Sequence, residues 1–232
     1  MEDLRPNDQR ATYAVMLIWI VLAMEIISFI SSNFQYELLQ SALNGASISS
    51  SDASSNDTRE QAIAILFLIA NIVSVVTFIQ WFRRAYYNLH LKVKFLTFSE
   101  GWAAGAWFVP IVCLYRPFQI MKELYEETNK VLKKENKIVG DALALNYLGI
   151  WWGIWVITNV LAQFTLRFSL KSDSVDELLT STILSMVGNI LGIPLAIITI
   201  KIIKDYSKVE FLLSKTIQEE LPAPDLNKGT DI

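Results

Sequence analysis

Residues 101–117, GWAAGAWFVPIVCLYRP, are as apolar as a membrane helix but too short to be one. A helix from Trp102 to Tyr115 would cover about 21 Å at ~1.5 Å per residue. The hydrocarbon core of a bilayer is about 30 Å thick. Basic residues flank the segment on both sides, so its path decides where everything after it lies.

Four other runs are long enough to cross, at roughly 11–32, 62–82, 142–164 and 178–200, each near the ~20 residues a span requires. The first is longer than the ~7–15 apolar residues of a cleaved signal peptide, so it reads as a retained span. With 53% hydrophobic residues and seven Trp among 232, the composition is that of a membrane protein. Net charge is −3, without the basic excess of a nucleic-acid binder.

Lys and Arg orient the spans. Residues 83–100 hold four of them and 116–141 hold six. If the short segment crossed, these two clusters would face opposite sides, against the positive-inside rule. If it enters and returns, or lies along the surface, seventeen of the twenty basic residues are cytoplasmic. The expected architecture is therefore all-α. It is an integral membrane four-helix bundle, one domain over 1–220, with both termini cytoplasmic and a re-entrant or interfacial short helix at 101–115. Pro110 would break or bend that helix, Ser99 would cap it, and Pro117 would open the next.

Two cytoplasmic stretches, 117–136 and 201–220, are amphipathic. Phe118, Met121, Tyr125, Thr128 and Leu132 recur at spacings of three and four, as do Ile202, Tyr206, Val209 and Leu213. These seams either cover one another or dock a protein partner or a second copy. Residues 47–58 are Ser-rich and read as a loop, with a weak glycosylation match at Asn56. Residues 221–232 read as a disordered tail.

Glu25 is the only acid within a span, and such residues face a bundle interior or a wet cavity. Asn71, Asn159 and Asn189 lie in the other three spans. Counted at ~1.5 Å per residue from Tyr13, Ala62, Tyr147 and Leu178, they sit about 18, 14, 18 and 16 Å deep, near one middle level. One reading is a layer of interhelical hydrogen bonds, worth ~0.6 kcal/mol each. The other is a protonatable site in a proton-linked transporter or channel, although no internal repeat of the kind transporters use is present. Three GxxxG patterns (Gly101–Gly105, Gly149–Gly153, Gly188–Gly192) predict close helix approach, with Gly105 set against Gly192. Arg83, Arg84 and Arg116 with Trp102 and Trp107 form a candidate site for an anionic lipid headgroup or a partner.

The run WFRRAYYNL, followed by FSEGWAAGAWFVPIVCLYRPFQIMKELYEET, resembles the bacterial family called domain of unknown function 4328. The positions carrying the resemblance are Arg84, Gly101, Trp102, Trp107, Pro110, Arg116 and Pro117. It implies a multi-pass protein of the bacterial inner membrane and supplies no activity or ligand. The sequence has no phosphate-binding loop, no dinucleotide glycine fingerprint and no HExxH. With one His and one Cys, no enzyme, cofactor or metal is expected. The expected role is non-catalytic binding of a protein partner or of anionic lipid through the cytoplasmic face.

Overall fold

The computed structural model describes residues 4–137, 143–171 and 174–220. The tail at 221–232 lies outside the described residues. Every described element is helical: α1 (Asp8–Leu43), α2 (Ser50–His90), α3 (Trp102–Gly105), α4 (Arg116–Lys134), α5 (Asn146–Lys171) and α6 (Val175–Glu220). α1, α2, α5 and α6 are long and apolar enough to cross a membrane.

The helices overrun the predicted spans. α1 ends in a glycine cap: Gly45 takes φ +86°, the Ala46 N–H reaches Ser41 O at 3.0 Å, and the Gly45 N–H reaches Ala42 O at 3.0 Å. α2 then starts at Ser50, so most of the serine-rich stretch read as a loop is helical. The reason is a cap that composition hides: the Ser49 hydroxyl accepts from Asp52 N and donates to Asp52 Oδ2. Asn56, the weak glycosylation match, is buried and accepts a 2.6 Å bond from Arg59. α5 begins at Asn146 rather than 142. α6 joins the fourth span and the second amphipathic stretch in one helix running through Pro194.

α1 and α6 pack along their length, with α2 against the flank of α1 and α5 against the flank of α6. The backbones of α2 and α5 do not pack on each other. This leaves a bundle with three closed seams and one open one.

The short segment fills one end of that seam. Only Trp102–Gly105 is α-helical, with a 3-10 turn at Val112–Leu114. Ser99 contributes its carbonyl to Trp102 N, while Gly101 stands at the cap. Beyond Pro110, Ile111 adopts φ +67°, a conformation a β-branched residue takes only at a sharp turn. The chain then comes back to the end of the bundle that it left. The Tyr86 hydroxyl on α2 donates to Glu123 Oε2 on α4 at 2.6 Å, and Trp152 Nε1 on α5 donates to Leu114 O at 3.0 Å. We call this the insert end and the opposite one the hairpin end.

The residues preceding α1 also reach the insert end. Arg5 N donates to Asn88 Oδ1 (3.1 Å), and Asn88 Nδ2 donates to Arg5 O (2.9 Å). Asn88 and Asn7 amides each donate to one oxygen of buried Glu210, at 2.6 and 3.0 Å. This knot ties the N-terminal arm, α2 and α6 together. The two amphipathic seams cover one another. Tyr125 stacks on Tyr206 at 6.1 Å, and its hydroxyl donates to Ile202 O. Burial, then nearby Asp205, pushes the Tyr125 phenol up, which keeps it a neutral donor.

Candidate functional site: a cleft between α2 and α5

The open seam is a cavity of about 790 Å³, within the size range of small-molecule sites. Its back wall is α1 and α6 and its sides are α2 and α5. Toward the hairpin end it is lined by Ser28, Ser32 and Glu60. A smaller hollow of about 280 Å³ adjoins it there, lined by Gln35, Gln61 and Thr182 among others. At the insert end the floor is aromatic. Trp107 meets Phe78 edge-on at 5.7 Å and Trp155 at 5.6 Å, with Phe82 and Trp152 at 6.5 and 6.1 Å. Trp151 and Trp152, which could pass for an interfacial belt, are buried core instead, Trp151 anchored by its bond to Thr199 Oγ1.

All four predicted mid-span polar residues, Glu25, Asn71, Asn159 and Asn189, line this cleft. They do not form a hydrogen-bonded layer. The Asn71 and Asn159 amides donate within their own helices, to Phe67 O and Trp155 O. One pair bridges helices: with its nitrogen turned toward α1, the Asn189 amide donates to Glu25 Oε2 at 3.0 Å and accepts from Phe29 N at 3.2 Å. Glu25 lies against Gly192, where a Cβ would collide with the carboxylate. Gly192 thus serves Glu25 rather than Gly105. A Cβ at Gly101, Gly105, Gly149 or Gly153 would meet open space, so those two GxxxG patterns do not mark close contacts.

The candidate headgroup residues divide among three environments. Arg83 pairs with Glu100 at 3.0 Å. Arg84 lies over Tyr87 at 6.0 Å. The Arg116 guanidinium sits 4.7, 5.7 and 5.5 Å from the rings of Phe98, Trp102 and Tyr115. Trp107 is in the cleft floor. Sequence reasoning missed Glu60 and Glu210, and takes Trp155 for part of an interfacial aromatic belt where it lines the cleft. Glu60 and Glu210 lie outside the apolar runs, where acids are ordinary, and only the helical overrun brings them inward. Among the described residues, no cluster of His, Cys, Asp or Glu could hold a metal.

Four membrane-crossing helices around a polar-centred cleft define a multi-span helical membrane protein. The chain belongs to the family Domain of unknown function (DUF4328), which matches residues 44–208. No curated protein and no solved structure matches it. The matched stretch contains Asn71, Trp107, Asn159 and Asn189, while Glu25 and Glu210 fall on either side of it.

Proposed function

We propose that this is a non-catalytic protein of the bacterial inner membrane that binds a membrane-dissolved, amphipathic small molecule in the α2/α5 cleft. Both termini and the insert end face the cytoplasm in this reading, and the insert is re-entrant. The observation carrying it is the open seam itself. A cavity with mostly apolar side walls and a polar centre, unsealed between two spans, admits a ligand sideways from the lipid. Arg116 on its three rings would meet lipid phosphates at the inner boundary, which keeps lipid among the expected partners. Docking of a protein partner or a second copy on α4 and α6 is the weaker reading, since the apolar seams of those helices face each other.

Brominated acyl chains test the binding reading. Trp107, Trp151 and Trp155 line the cleft, so in nanodiscs of dibrominated phosphatidylcholine their emission should be quenched. With the exposed Trp19 and Trp102 replaced by Phe, filling the seam by Ala64→Leu with Ala162→Leu should restore most of it. Emission indifferent to bromine in the wild type would overturn the proposal. The orientation has its own check. Lys92→Cys and Lys130→Cys should both label with an impermeant maleimide from the cytoplasmic side only, and labelling from opposite sides would overturn it.

A second reading, a small proton-linked transporter, is favoured by Glu25 lining the cleft. It predicts uptake by proteoliposomes that is lost in Glu25→Ala.

A further inference from the structure

The cleft has a definite charge character. Among its described lining residues there are two carboxylates, Glu25 and Glu60, and no Lys, Arg or His. Glu60 is already held: Ser31 Oγ donates to it, and Arg59 lies 3.4 Å away. Glu25 has one amide donor, Asn189, and no ion pair among the described residues. An anionic ligand would therefore find no counter-charge, whereas a cation would find in Glu25 a carboxyl able to ionise and pair with it. In a low-dielectric setting such a mismatch is expensive, while an opposite charge is correspondingly favoured.

The floor adds a second preference. Thr199, which accepts the Trp151 bond, is seven residues from Gly192, which carries Glu25. That separation along α6 is about 10 Å at ~1.5 Å per residue. Trp151 thus lies about two helical turns from the carboxyl, and Phe78, Trp107 and Trp155 line the same cleft. Electron-rich ring faces attract cations, most strongly when water is excluded.

On the cleft-binding reading above, we propose that the ligand is a lipophilic monocation. Its charged centre pairs with Glu25, and its apolar or aromatic body lies against the Trp107 floor. A quaternary or protonated amine, or a phosphonium, on a body that fits about 790 Å³ has the required chemistry. The Gly192 contact is part of the design: the missing side chain leaves room for the carboxylate to lie along α6 rather than across the cleft.

Tetraphenylphosphonium and tetraphenylborate, alike in shape and opposite in charge, are the probes. With wild-type protein in nanodiscs, and empty nanodiscs as the blank, phosphonium should bind saturably at one per chain. Borate should show no saturable component. Glu25→Gln, which preserves shape, should weaken phosphonium binding at least tenfold, whereas Glu25→Asp should retain a large part of it. The brominated-lipid quenching should be unchanged in Glu25→Gln, showing that protein and cleft are intact. Equal binding of the two probes, or full phosphonium affinity in Glu25→Gln, would overturn the cation assignment and leave the cleft reading standing. Loss of bromine quenching in the wild type would remove both.

Discussion

Trp107→Ala is expected to lower stability by about 3 kcal/mol, the low end of the range for removing a large aromatic, because the indole is half-buried. Trp107 of the insert touches both sides of the open seam, meeting Phe78 and Phe82 on α2 and Trp152 and Trp155 on α5. Elsewhere those two helices do not pack backbone to backbone, and the direct ring contact that remains between them is Phe78 against Trp151 at 6.1 Å. Truncation should also enlarge the cleft into the space the indole leaves. Thermal unfolding followed by size-exclusion chromatography measures the first effect. A shift of only a few tenths of a kcal/mol would mean that the insert decorates the bundle instead of closing it. Trp107→Phe, which keeps a ring, should recover more than half of the loss.

Glu210→Ala should cost as much, about 3 kcal/mol, for a different reason. Its carboxylate is the shared acceptor of two buried amides, Asn7 and Asn88. Each amide keeps one acceptor, Arg5 O for Asn88 and Trp81 O for Asn7, but has one buried N–H left unmade, at about 1–3 kcal/mol each. Because Asn7 precedes α1 and Asn88 closes α2, the effect should appear as loss of hydrogen-exchange protection in residues 4–9 as well as in melting temperature. Glu210→Gln offers one oxygen and one amide nitrogen in place of two acceptors, so it should sit between wild type and Ala. Unchanged protection in the Ala variant would show that the N-terminal arm is held by other contacts.

Much of this architecture is written in residue patterns. Four apolar runs give four helices long and apolar enough to cross, and Pro110 marks the turn of the insert. The seams with Tyr125 and Tyr206 are legible as period-3.6 stripes, and each finds the other. Mid-depth counting places Glu25, Asn71, Asn159 and Asn189 around one feature. What the pattern cannot carry is how helices choose neighbours. An amide in a span hydrogen-bonds across helices or within its own, and sequence spacing is the same for both; Asn71 and Asn159 do the latter. Likewise Gly149–Gly153 and Gly188–Gly192 look alike as strings, but only the second lies where another chain segment passes. The start of α2 at Ser50 was hidden because a serine cap and a serine-rich linker share a composition.

The open seam also fixes where selectivity must come from. On the proposed reading a cleft unsealed toward the bilayer would not stand bare: without a guest, acyl tails would occupy it. Those tails are as apolar as the lining, so burying a guest's hydrocarbon there gains little over leaving it dissolved in the membrane. Discrimination then falls to the carboxyl of Glu25, the flanking amides and the ring faces. Any dissociation constant will be a competition against lipid, meaningful only as a mole fraction and shifting with the composition of the surrounding membrane.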